Sequence, residues 1–125
     1  MYNRIEEFLA EHDIIYDLQF GFRKKYSTNH ALLSIVEKIR SNLDKKIFSC
    51  GVFVDLEKAF DTVNHNILLG KLEHYGIRGN SLEWFRNYLS NRNQCVFANG
   101  VVSNRLGINC GVSQESILGP LLFII

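Results

Sequence analysis

Between Ile47 and His65 the chain reads IFSCGVFVDLEKAFDTVNH. Its first part, Ile47 to Val54, is apolar, β-branched or small, the composition of a strand covered on both faces. Such a strand constrains everything around it, because it needs neighbouring strands for its amides and further layers for its side chains. It ends on a carboxylate, Asp55, with Phe60 and a second carboxylate, Asp61, a short way on. An acid at the C-terminal end of a central strand stands at the mouth of a sheet. Open α/β folds place ligands there, and oxygen donors can hold a hard cation. The same Asp also fits as the N-cap of a helical turn through Leu56-Glu57-Lys58-Ala59-Phe60.

The flanking segments are read from their periodicity. Tyr2 to His12 carries Ile5, Phe8 and Leu9 at helical spacing. Gly21 marks a turn between aromatics, followed by Arg23-Lys24-Lys25-Tyr26. These cations suit a phosphate grip near a helix start, and a solvated basic loop accounts for them equally in kind. Ser27-Thr28 supplies an N-cap for a helix over Asn29 to Asp44. There Leu32, Ile35, Val36, Ile39 and Leu43 form one face, expected to lie across the sheet that holds Asp55. A further helix is expected from Asn64 to Tyr75 on Ile67, Leu68 and Leu72, closed by Gly76. Asn80-Ser81-Leu82-Glu83 reads as a capping box opening a third helix through Trp84, Phe85, Tyr88 and Leu89. Those aromatics suit packing better than the reading of base edges, which disfavours a helix-turn-helix. Asn99-Gly100 signals a type I′ hairpin between Gln94–Ala98 and Val101-Val102, with another strand through Leu106 to Cys110. A loop with glycines at both ends, Gly111 to Gly119, then feeds an apolar helix; glycines there suggest a backbone that must approach something closely.

Composition narrows the function classes. At 125 residues with 46% hydrophobic content the chain is one domain or a piece of one, with enough apolar surface for a core. A formal net charge of +1 provides no general attraction for nucleic acid, so any such binding rests on local clusters. Cys50, Cys95 and Cys110 are too widely spaced for a zinc site and fit reduced, buried thiols. Histidines 12, 30, 65 and 74 show no ligand spacing, and His65 reads as a helix-start or packing residue. The acidic N-terminal stretch is unlike a signal peptide, and no apolar run has membrane-spanning length. An intracellular location, cytoplasmic or nuclear and not secreted, is expected. The last residues, Leu121 to Ile125, are expected to be an exposed apolar patch open to self-association, which suggests a chain cut short.

Four segments, GFRKKYST, VFVDLEKAFDTVNHNILLGKLEHYGIRG, WFRNYLSNRNQ and CGVSQESILGPLLF, resemble in order and spacing the reverse transcriptases of non-LTR (LINE-type) retrotransposons. The resemblance runs from about Gln19 to Ile125. It implies an α+β fold, part of a right-hand polymerase with fingers and the first half of the palm, its helices packed on a small, mostly antiparallel sheet. Residues 1–46 would be fingers-like helices, and 47–125 a partial palm with interleaved helices and hairpin. By the same resemblance Asp55 is the catalytic carboxylate that holds two magnesium ions, joined by the Leu56 backbone carbonyl. Phe60 is the aromatic gate against a 2′-hydroxyl, and Gln114 lines the nucleotide pocket. Arg23, with Lys24 and Lys25, meets the triphosphate or template. RNA template, DNA primer and dNTP are the implied partners.

The chemistry agrees, since nucleotidyl transfer by two metals uses magnesium held by carboxylate and phosphate oxygens. Where the family reads Pro-Gln-Gly-Ser, this chain has Ser113-Gln114-Glu115-Ser116, and Glu115 sets bulk and negative charge toward a triphosphate. The family's Tyr-x-Asp-Asp motif does not occur within 1–125, so this polypeptide alone is expected not to polymerise DNA. Two other readings stand beside this one. The first is a catalytically dead remnant that holds RNA or a protein partner. The second is an aspartyl phosphohydrolase, which the Asp55-Leu56-Glu57 sequence fits poorly.

Overall fold

The turn-forming residues divide the chain into short pieces, and the computed structural model, which describes residues 1–125, shows what each piece becomes. Five helices form: α1 (Tyr2–Glu11), α2 (Thr28–Asp44), α3 (His65–His74), α4 (Asn80–Leu89) and α5 (Gly119–Phe123). Four short strands, β1 (Arg92–Gln94), β2 (Phe97–Ala98), β3 (Val101–Val102) and β4 (Leu106–Ile108), make two antiparallel ladders, so the class is α+β. The chain separates into two compact units. One comprises residues 3–57 with Met1 and Ile124, the other residues 58–123 with Tyr2 and Ile125.

In the first unit the helix starts and stops follow the local chemistry. Ser27 caps α2 by accepting a hydrogen bond from the His30 amide at 3.4 Å. The helix ends in a Schellman motif, with the Lys46 amide on the Leu43 carbonyl (2.9 Å) and the Ile47 amide on that of Asn42 (2.8 Å). α1 closes the same way through Asp13 and Ile14, which bond to Ala10 and Leu9. Ile5 and Leu9 of α1 are buried, but α2 buries none of its residues, and Leu32, Ile35, Val36, Ile39 and Leu43 are all exposed.

The central strand expected at Ile47–Val54 is not present. That segment forms no ladder, and Phe48, Val52, Phe53 and Val54 are more than four-fifths exposed. The reason is pairing. A strand exists only through its neighbours' amides and carbonyls, and the four strands of this chain pair among themselves, β1 with β4 and β2 with β3. Without a sheet in this unit there is nothing for α2 to lie across. Nor does Asp55 cap a helix, since Glu57 to Thr62 is a run of turns.

The second unit holds every core residue except Ile5 and Leu9. α3 packs against α4, burying Leu68, Leu69 and Leu72 with Leu82, Phe85 and Leu89. Ile67, expected on the core face, is 63% exposed, and Leu69 takes its place. Asn64 caps α3 through its side-chain oxygen, which accepts from the amides of Asn66 (2.9 Å) and Ile67 (3.2 Å). Gly76 (φ 99°) ends the helix as expected, with the Ile77 amide on the Leu72 carbonyl and both side chains buried.

The capping box at Asn80 does not form. α4 begins one residue earlier, with Gly79 at the cap and no side-chain cap. Glu83 turns forward instead, toward Arg86 (3.3 Å) and Asn87. The hairpin registers as expected, Phe97 opposite Val102 and Ala98 opposite Val101, around left-handed Asn99 and Gly100. The terminal apolar run is not an exposed patch, because Leu121, Leu122 and Ile125 belong to the core. The three cysteines form no disulfide, but all are exposed rather than buried, since they lie in the unpaired stretch, the hairpin arm and the loop approach. No helix is long and apolar enough to cross a membrane.

Candidate functional site

Asp55 and Leu56 lie in the exposed irregular stretch at the end of the first unit. The basic group of that unit sits on a tight turn. Arg23 places its guanidinium 4.4 Å above the Tyr26 ring and donates to the Tyr16 carbonyl at 3.3 Å. Lys24 is ion-paired with Glu6, and Lys25 is exposed in a left-handed conformation (φ 65°). The lysine of this pair is exposed and the glutamate half-buried.

The second unit contains a cavity of about 700 Å³ bordered by Lys58, Asp61, Gln94, Cys110 and Ser113. One wall is a seam between two backbone segments. The Gly111 amide donates to the Val63 carbonyl and the Val112 amide to the Phe60 carbonyl, each at 2.8 Å. Asn64 and Cys110 form an antiparallel bridge beside them. On the same seam the His65 ring stands 2.7 Å, Nε2 to oxygen, from the Gly111 carbonyl.

The glycines of this loop have physical reasons. Gly111 has φ 91°, and a Cβ there would lie 2.9 Å from the Asp61 carbonyl oxygen. A Cβ on Gly119 would fall 1.8 Å from the Ser113 carbonyl oxygen. The close approach anticipated for these glycines is therefore to the protein's own backbone. Ser116 closes the loop, its hydroxyl donating to the Ser113 carbonyl (2.7 Å) and accepting from the Gly119 amide (2.8 Å). Gln114 and Glu115 are exposed at the apex.

Phe60 and the segment that carries Gln114 are thus neighbours in one unit, whereas Asp55 and the Arg23 cluster belong to the other. The Phe60 ring is half-buried and stacked on Phe123, with centroids 4.4 Å apart and planes at 26°. Sequence reasoning missed the seam. Lys58 and Asp61 border the cavity and His65 is bonded to the Gly111 carbonyl, but spacing gives no sign of a histidine whose partner is a distant carbonyl. As for a cation, no group of three or more His, Cys, Asp or Glu side chains is gathered anywhere in the chain, and Asp61 has Lys58 beside it on the cavity wall. The chain's own donors do not make up a complete metal site.

Comparison with known proteins agrees with the motif order. Residues 1–125 match the family model described as reverse transcriptase (RNA-dependent DNA polymerase). The chain is 32% identical over 127 residues to a probable RNA-directed DNA polymerase from transposon BS of Drosophila melanogaster, covering 97% of this chain and 13% of that protein. It is 34% identical over 107 residues to the RNA-directed DNA polymerase from mobile element jockey of Drosophila funebris (86% and 12%). It is 31% identical over 72 residues to the Pol polyprotein from type-1 retrotransposable element R2 of Popillia japonica (58% and 12%). The chain therefore spans about an eighth of the length of these relatives. No solved structure matches it. From the ordered motifs and the match along its whole length, the chain belongs to the reverse transcriptase family, as a segment of the non-LTR retrotransposon type.

Proposed function

We propose that this chain is the part of an RNA-directed DNA polymerase that meets the template and the incoming nucleotide, within a partial right-hand fold. The observation that carries the reading is the seam. The main chain at Phe60 is hydrogen-bonded to that at Val112, two residues before Gln114, so two segments far apart in sequence form one wall. In this reading Phe60 screens the sugar, Gln114 faces the nucleotide, and Arg23, Lys24 and Lys25 hold phosphates of RNA template or DNA primer.

Reverse transcriptases in general use divalent metal. Two magnesium ions fit nucleotidyl transfer, and Asp55 with the Leu56 carbonyl is our candidate for one share of their ligands. Because the chain gathers no cluster of three donors, the remaining ligands must come from elsewhere, and no catalytic step is assigned to this chain alone. Glu115, in place of the glycine usual in the family, lowers affinity for a triphosphate by charge repulsion and bulk. The Glu115→Gly chain should gain affinity in a dTTP titration, and no gain removes that role.

The test uses the purified chain with oligo(dT) annealed to poly(rA). Binding should weaken as salt rises, and Lys25→Ala should lower the log–log salt slope by about one. Binding that is absent or indifferent to salt overturns the reading of the basic turn. With magnesium and dTTP, no primer extension is expected. Extension that is lost in Asp55→Ala would overturn the assignment of an incomplete site.

A further inference from the structure

Gly111 is held at both of its backbone polar groups. Its amide donates to Val63, and its carbonyl lies 2.7 Å from the His65 ring nitrogen Nε2. Because the partner is a carbonyl, Nε2 must carry the proton and donate, which sets the tautomer of the neutral ring. His65 is itself well anchored. It is the first residue of α3, directly after the Asn64 cap, on a helix fixed in the core by Leu68, Leu69 and Leu72. Gly111 fits against the Asp61 backbone more closely than any side chain would allow. Three residues on lies Gln114, in a loop whose other end is closed by Ser116 and Gly119.

We infer that His65 is a positioning residue: by donating to the Gly111 carbonyl it fixes the start of the 111–119 loop on helix α3 and so sets where Gln114 stands. The inference rests on the polymerase reading only for what Gln114 faces; the hold on the loop is a property of the seam. A half-buried carbonyl that loses its donor is satisfied only by admitting water or by moving, and either change frees the loop. A Gln side chain carries an N–H at similar reach and can restore the bond, whereas Ala cannot.

The experiment uses the full 125-residue chain and its His65→Ala and His65→Gln variants. Imidazole ¹⁵N spectra of the unsubstituted chain should show His65 protonated at Nε2 when neutral; the opposite tautomer, or a mixture, overturns the inference whatever the variants do. In amide hydrogen exchange read by mass spectrometry, His65→Ala should exchange about tenfold faster over 111–119, with α3 and α4 peptides unchanged. His65→Gln should stay within about twofold of the parent, since the bond is kept. Equal exchange in all three chains, or equal acceleration in Ala and Gln, overturns it. Adding dTTP, magnesium and oligo(dT)·poly(rA) to the parent chain separates the two readings. Protection of 111–119 by this mixture supports the nucleotide role of Gln114. Its absence, with the Ala effect intact, removes the nucleotide role and leaves His65's hold on the loop standing.

Discussion

Three helices end in the same hydrogen-bond pattern but place different residues in its left-handed position: Asp13 (φ 49°) after α1, Lys46 (φ 56°) after α2 and Gly76 (φ 99°) after α3. Glycine has no Cβ to crowd the preceding carbonyl there, whereas lysine does. Lys46→Gly should therefore stabilise the chain by about 0.5–1 kcal/mol, and Gly76→Ala should destabilise it by about 1 kcal/mol, both read from urea denaturation midpoints. Only the third of these ends was legible in the sequence, because a glycine advertises the conformation and a lysine does not. At the site the same holds. Gly111 and Gly119 were visible as unusual, but what they approach, the carbonyls of Asp61 and Ser113, is a matter of tertiary contact that no spacing reveals.

At the scale of elements, the helices were read within a residue or two, because periodicity and caps are local. Asn64, expected as the first residue of the helix, is instead its cap, and Asn80, expected as a cap, is not one, since Gly79 already turns the chain into α4 with φ 58°. Asn64→Ala should cost about 1 kcal/mol, while Asn80→Ala should stay within about 0.5 kcal/mol of neutral, as measured by thermal unfolding of the two variants. Which face of a helix is buried was less legible than the helix itself. Leu69 rather than Ile67 enters the core, on the opposite flank of the Leu68 and Leu72 stripe of α3, because the position of α4 decides the buried stripe. The hairpin turn was legible, since Asn99-Gly100 is its own signal, but the strand expected over Gln94–Ala98 is divided, Phe97–Ala98 pairing across the turn and Gln94 pairing with Leu106 in the other ladder.

On the scale of the whole molecule, composition promised a core and the second unit supplies it. The run at the C-terminus is core and not the surface patch expected of it, because hydrophobicity alone does not say whether a partner is at hand, and α5 and Ile125 find one in their own unit. Ile47–Val54 is the opposite case, where the pattern of a buried strand is real but strand pairing is non-local, and nothing in 1–125 pairs with it.

That bare stretch has a consequence for anyone handling the isolated polypeptide. Ile-Phe-Ser-Cys-Gly-Val-Phe-Val contains no charge and no proline, and beyond Ile47, whose amide closes α2, the segment pairs with no strand and lies exposed to a second chain. Concentrated solutions should thicken into fibrils that bind thioflavin and diffract at the spacing of stacked strands, about 4.8 Å. A single gatekeeper charge, Val52→Lys, should keep the same solutions clear.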